Sequence, residues 1–163
     1  MRLRLANAAE IPVLRELRNR AAWAGCTVAY THEQLERWLA GPLPDRFAAL
    51  VDAGTVFVAE DGARPVGYGA LNVATCEVEA VFVEPEASGR GVGKALLQAL
   101  EAMARVRGLA RLTLSASLNA VPFYSAAGYE ALRNEDFRLA SGAVLACVVM
   151  HKRLQADATA AVD

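Results

Sequence analysis

Residues 77–108 read EVEAVFVEPEASGRGVGKALLQALEAMARVRG. Glu77 to Val83 is rich in Val and Phe, a strand pattern, and Pro85 ends it. A small-residue loop follows, Ser88-Gly89-Arg90-Gly91-Val92-Gly93. Val92, Leu96, Leu97, Leu100 and Met103 then recur at three- and four-residue steps, which predicts a helix with one apolar face. A strand, a glycine-rich turn and a helix start together make an anion site. The unpaired N–H groups of the first helical turn point into the loop, where the helix dipole is positive. The loop matches neither of the two nucleotide motifs it comes near. A P-loop has Gly where Ser88 stands and Ser or Thr where Ala95 stands, and the dinucleotide fingerprint puts its third glycine at Lys94. Taken alone, the glycines also read as a flexible turn. Glu77 and Glu79 add a second signal, because they stand where a buried parallel strand is apolar throughout.

Val81-Phe82-Val83-Glu84-Pro85, followed by Gly89-Arg90-Gly91-Val92-Gly93-Lys94-Ala95-Leu96-Leu97, resembles the coenzyme A motif of the GCN5-related N-acetyltransferases, in particular their small YafP-like members. The family pattern is Gln/Arg-x-x-Gly-x-Gly/Ala. Ser88 departs from it at the first position, which removes a long side chain near the phosphates and leaves the backbone amides untouched. A later segment, Ser117 to Tyr129, is similar to the family's second motif: Asn119, then the pair Phe123-Tyr124, then Gly128-Tyr129. The resemblance therefore spans roughly Leu3 to Leu154.

This resemblance implies an α/β (α+β) domain over residues 1–154, with a mixed, mostly antiparallel sheet of about six to seven strands and about four helices. It implies acetyl-CoA as acyl donor, no metal, and the primary amine of a small molecule or peptide as acceptor, attacked directly. Backbone amides of Ser88, Gly89, Arg90, Gly91, Val92, Gly93 and Lys94 would hold the pyrophosphate. Val81, Phe82 and Val83 would pair with the pantetheine arm as an added strand would, and an amide near Phe82 or Val83 would polarise the thioester carbonyl. Asn119 would meet the same arm, with Phe123 beside it, and Tyr124 would protonate the leaving thiolate. Asn119 reads equally as the N-cap of its own helix, and Phe123 and Tyr124 as core aromatics. A glutamate on the strand often relays the amine proton in this family. Glu79 is the first choice and Glu77 the second; the bland alternative is two salt-bridged or edge-exposed carboxylates. Such help matters because an amine of pKa near ~10 is neutral only about one part in ~10³ at pH 7, a cost of roughly 4 kcal/mol. In a regular strand Glu77 and Glu79 share a face with Val81 and Val83; a bulge, usual in this family, would re-aim part of it. A protein that keeps the glycine loop without needing Glu79 or Tyr124, a non-catalytic acyl-CoA sensor, is the reading from a different class.

Composition bounds the rest. The 163 residues suit one domain, and 55% hydrophobic against 21% charged residues supply a core. A net charge of −1 argues against a nucleic-acid partner met through a broad basic surface. Cys26, Cys76 and Cys147 lack metal-site spacing, and Cys76 and Cys147 read as small buried hydrophobes in strands. Arg2 and Arg4 precede no apolar run, and no stretch approaches the ~20 apolar residues of a membrane span, so a cytoplasmic protein without a membrane partner is expected. Monomer and homodimer remain equally open.

Along the chain, strands are expected at Leu3 to Leu5, Val56 to Glu60, Val66 to Val73, Leu112 to Ser115, Tyr129 to Leu139 and Val144 to His151, besides Glu77 to Val83. Asn7 and Glu10 form a capping box for a helix running to about Ala22, and Thr31 caps a second helix ending at Leu39. Phe47 to Val51 is a short apolar segment, and Asn119 to Ala127 a short helix. Trp23, Tyr30 and Trp38 are candidates to wall an acceptor pocket; His32 and His151 read as surface residues. Residues 155–163, Ala-rich and without core periodicity, read as a frayed tail.

Overall fold

The computed structural model describes residues 1–155, so all but the first residue of the expected tail lies outside the described residues. Strands β1 (Arg2–Leu5), β2 (Val56–Asp61), β3 (Arg64–Asn72), β4 (Glu77–Val83), β5 (Arg111–Ser117), β6 (Glu130–Arg138) and β7 (Val144–Arg153) form one seven-stranded sheet, in the order β1-β2-β3-β4-β5-β7-β6. Every neighbouring pair is antiparallel except β4 with β5, which is parallel. The helices are α1 (Ile11–Gly25), α2 (His32–Leu39), α3 (Asp45–Asp52), α4 (Val92–Val106) and α5 (Val121–Ala126). This is the mixed α/β arrangement expected, with one helix more.

The extra helix is α3, where the sequence suggests only an apolar segment. Pro44 sits at its N-cap and Asp45 in its first turn, and Phe47, Leu50 and Val51 bury against Leu14, Leu17 and Tyr68. Both expected caps form. Asn7 N–H donates to Glu10 Oε2 at 2.8 Å, and Thr31 Oγ1 accepts from Gln34 N–H at 3.1 Å. The first of these opens a 3₁₀ turn, Ala8–Glu10, that leads into α1.

Helix α4 covers one face of the sheet. Leu96, Leu97 and Leu100 are at most 1% exposed, each contributing roughly 1.5–3 kcal/mol of burial. The close approach depends on β3. A Cβ at Gly67 would lie 3.0 Å from the Phe82 carbonyl oxygen and 3.0 Å from Val92, and one at Gly69 would lie 3.0 Å from Leu100. The opposite face of β2–β4 is covered by α1 and α3 through Leu14, Leu17, Phe47 and Leu50. Around the start of β7, α2 packs Leu35 and Leu39 near Leu145. Beyond that point the same face of β5, β7 and β6 carries no helix, and all of β6 is exposed.

Two sequence readings are corrected here. Cys76 is not in a strand: it closes the turn before β4 with φ 56° and is only half-buried. His151 is not a free surface residue, because its Nδ1 is buried without a hydrogen-bond partner. Cys26 and Cys147 are buried.

Candidate active site

β4 and β5 register through a single pair, Glu77 with Thr113, next to which Thr113 N–H donates to the Cys76 carbonyl at 2.9 Å. β4 continues to Val83 with β3 on one edge, and β5 continues to Ser117 with β7 on one edge. Past Glu77 the two facing edges therefore carry backbone groups without a strand partner. Such an edge accepts an extended ligand in place of the missing strand.

The glycine loop ends at the top of this parting. Gly91 is the N-cap of α4 at φ 80°, with no side-chain cap bond, and Gly89 has φ 78°. A Cβ placed on Gly91 meets nothing within 4 Å, so the space beside the uncapped helix start is open. Two residues further, Gly93 has a different use. A Cβ there would lie 3.3 Å from the Phe123 ring, so its absence lets α5 close on the start of α4. The entry to the loop is held by Glu84, which is buried and accepts from Arg20 of α1 through Nε at 3.0 and 3.1 Å and through the second arm of the guanidinium. This pair, 64 residues apart, carries no local sequence signal.

Asn119 does not cap α5. It lies in a 3₁₀ turn, Leu118–Ala120, and Ala120 holds the cap position, since the helix begins at Val121, one residue later than the Asn reading requires, with Pro122 second. Its Oδ1 is buried and has no partner among the described residues. A coenzyme A-type ligand asks for loop amides, a free strand edge and polar groups along the arm. The open helix start, the parted edges and the orphaned Asn119 oxygen fit that request.

A bulge decides where the two glutamates point. The β3–β4 register passes from Ala70 opposite Ala80 to Leu71 opposite Val78, which leaves Glu79 as the extra residue. Val78, Val81 and Val83 turn toward α4, whereas Ala80 and Phe82 turn toward α1 and α3. Glu77 and Glu79 are thereby separated from Val81 and Val83 and face the other side. Glu79 accepts from Arg46 Nε of α3 at 2.8 Å and from Asn72 Nδ2 at 3.1 Å. Glu77 makes no side-chain hydrogen bond or ion pair among the described residues. Burial pushes its carboxyl above the usual range, the Glu79 charge adds to this, and Arg46 opposes it.

Tyr124 lies on the α4 side, 8% exposed, in the cluster that contains Val78, Leu114 and Ala116. Burial raises its phenol well above the usual range, so the hydroxyl stays protonated. Its ring meets Phe123 and Tyr129 edge-on, with centroids at 5.0 and 5.8 Å. A buried ionic cluster sits behind it. Glu101 of α4 accepts from Tyr129 Oη at 3.2 Å and from Lys152 Nζ at 3.0 and 3.1 Å, and Lys152 also donates to the Ala127 carbonyl at 2.8 Å. The Tyr129 N–H closes the loop onto the Tyr124 carbonyl at 3.0 Å. Glu101 had a sequence signal: it falls on the apolar face of the helix, four residues after Leu97. Tyr30 is a brace rather than an open wall, donating to the Ala146 carbonyl at 2.6 Å and accepting from Leu118 N–H at 3.0 Å. Trp38 reaches Phe82, with centroids at 6.3 Å, and Trp23 stacks on exposed His32.

On the uncovered face a groove of about 550 Å³ runs from Glu77 across Thr113 and Ser115 to Glu135 and Phe137. Tyr124 and Glu77 therefore flank the parted strands from opposite faces. Among the described residues no three His, Cys, Asp or Glu side chains converge as a metal site, and no helix is long and apolar enough to cross a membrane.

Comparison with known proteins agrees with this geometry. The model of the acetyltransferase (GNAT) domain family matches residues 26–146. The chain is 29% identical to the uncharacterized N-acetyltransferase YafP of Escherichia coli over 106 residues, 65% of this chain and 65% of YafP, so the match spans just under two thirds of that relative. It is 31% identical to the uncharacterized N-acetyltransferase YjcF of Bacillus subtilis over 59% of this chain and 70% of YjcF. A GCN5-related N-acetyltransferase from Rhodopseudomonas palustris superposes with a TM-score of 0.84 at 29% identity, covering 94% of this chain and 95% of that one. The PaiA N-acetyltransferase of Thermoplasma acidophilum, solved with coenzyme A, shares the fold with a TM-score of 0.74 at 18% identity, covering 93% and 98%.

Proposed function

This chain belongs to the acetyltransferase (GNAT) domain family, and we propose that residues 1–154 act as one domain that transfers the acetyl group of acetyl-CoA to a primary amine of a small molecule or peptide. The observation that carries this reading is the parting of β4 from β5 beyond Glu77, directly below an open helix start. In this reading the amides from Ser88 to Lys94 hold the pyrophosphate, the free edge of Val81–Val83 aligns the pantetheine arm, and Asn119 Oδ1 gains the partner it lacks. When bound, acetyl-CoA supplies a thioester whose acetyl carbon takes the amine nitrogen as the carbon–sulfur bond breaks.

The chain's own groups manage the protons and the developing charge. An amide of β4 near Phe82 or Val83 donates to the carbonyl oxygen. Glu77 takes a proton from the incoming ammonium, on the groove side. Sequence alone ranks Glu79 first for this task. Three observations favour Glu77: Glu79 is occupied by Arg46 and Asn72, Glu77 has no side-chain partner among the described residues, and burial pushes the Glu77 carboxyl above the usual carboxylate range. Glu79 then holds Arg46 over the site and keeps Glu77 basic through its charge. On the opposite face, Tyr124 Oη delivers a proton to the departing sulfur. The Glu101–Lys152–Tyr129 cluster orients Tyr124.

The test is thiol release from acetyl-CoA with a panel of amines, run on protein first shown to be stabilised by acetyl-CoA. Amine-dependent release is expected. Stabilisation without turnover on any amine would support the non-catalytic sensor instead.

A further inference from the structure

The open face of the sheet holds two opposed cations at a fixed place relative to Glu77. β5 and β7 put Arg111 opposite Arg153 and Thr113 opposite His151, and β4 puts Glu77 opposite Thr113. Directly opposed residues project their side chains to the same face, about 4.5–5.5 Å apart at Cβ, and like charges so placed repel. Neither Arg111 nor Arg153 makes an ion pair among the described residues. Of the other arginines on this side, Arg46 and Arg133 are engaged by Glu79 and Glu135, and Arg138, at the far end of the groove, stands without an opposed cation. Beside the pair, His151 keeps a buried Nδ1 without a partner. Glu77 and Arg111 line one groove, and Arg111 stands two residues along β5 from the neighbour of Glu77, about 6.6 Å at ~3.3 Å per residue.

Resting on the N-acetyltransfer reading above, we propose that the acceptor is an anionic amine, one small molecule carrying both an amine and a carboxylate or phosphate. Its ammonium faces Glu77, and its anionic group sits over the Arg111–Arg153 pair. Two guanidinium forks match such an oxyanion, and the ligand relieves a repulsion that no ion pair among the described residues offsets.

The experiment compares kcat/KM within matched pairs of acceptors: β-alanine against β-alaninamide, phenylalanine against phenylalaninamide, and phosphoethanolamine against ethanolamine. The amides are the less basic amines, so a preference for the carboxylate cannot arise from a larger neutral fraction. An anionic member favoured at least about tenfold, the size of one charge-assisted hydrogen bond, is expected, and the preferred pair identifies carboxylate or phosphate. Arg111→Gln combined with Arg153→Gln should bring the members of that pair together, and the Arg→Lys versions should keep part of the gap. Neutral members reacting as well in every pair, or a preference that survives the double Gln variant, would overturn the assignment. Thiol release with none of these amines or any simple alkylamine, from protein still stabilised by acetyl-CoA, would remove the N-acetyltransfer reading and this assignment with it.

Discussion

The two halves of the sheet obey different rules. β1–β4 form a run of antiparallel neighbours in sequence order, and β2–β4 are covered by α4 on one face and by α1 and α3 on the other. β5 and β7 are covered mainly on one face and β6 is exposed throughout, and the open face presents Thr113 and Ser115, then Arg133 and Glu135. One register pair joins the halves. The difference teaches where chemistry can be placed. The covered half supplies rigidity, the open half supplies polar groups, and the seam between them supplies backbone edges that belong to neither.

The largest expected effect breaks the seam's chemistry without touching either half's packing. Glu77→Gln should lower turnover by on the order of 10²–10⁴-fold, within the range of general base catalysis, and raising the pH toward the amine pKa should recover much of it. In the wild type, turnover should fall as pH drops through the raised Glu77 value, because only the carboxylate is a base. The linked stability term has the opposite sign. A carboxyl raised in the folded state favours folding when protonated, and this contribution is lost as pH rises through the folded value, so Glu77→Gln should be no less stable than wild type at neutral pH. A Glu79→Gln defect larger than that of Glu77→Gln would return the base to Glu79.

Next, Tyr124→Phe should cost roughly 10²-fold in turnover with little change in acetyl-CoA affinity. An unchanged rate, with chemistry shown to be limiting, would assign Tyr124 to the α4-side core as packing alone. Gly91→Asp should erase the stabilisation by acetyl-CoA, about 2.7 kcal/mol at a hundredfold excess over Kd; a folded variant with the full shift would remove the loop from the site.

Two smaller changes sharpen the contrast between the halves in denaturant titrations. Gly67→Val in the covered half should destabilise by about 1–3 kcal/mol, because its Cβ alone would lie 3.0 Å from backbone and from Val92. Arg133→Ala on the open half should stay within about 0.5 kcal/mol, since its ion pair with Glu135 is at 3.5 Å between exposed groups. Equal losses in the two would mean that the open face is packed after all.

What could be read in the sequence follows from range. The β4–loop–α4 unit is legible because strand, glycines and helix stripe are contiguous. The capping boxes are legible because three residues define each. α3 is not, since eight residues of mixed character after Pro44 become helical only by burying Phe47 and Leu50 against α1 and β3. A bulge is expected in kind, but its position at Glu79 appears only in the pairing with β3. For the same reason the ranking of Glu77 and Glu79 is hidden. It depends on Arg46, 33 residues away, reaching one carboxylate and not the other. Arg153 joins the site only because β7 lies beside β5.

That last placement governs how the protein is made. β7 is the last strand of the described chain, yet it is inserted between β5 and β6. While the ribosome has delivered only residues 1–143, β1–β4 with α4 can already assemble from neighbours in sequence. β5 then packs one face on α4 but has strand contacts only at Glu77 and the Cys76 carbonyl, and β6 has no strand beside it at all. The β5 side of the seam therefore gains its strand support only when a ten-residue strand enters between β5 and β6, one place in from the edge of the sheet.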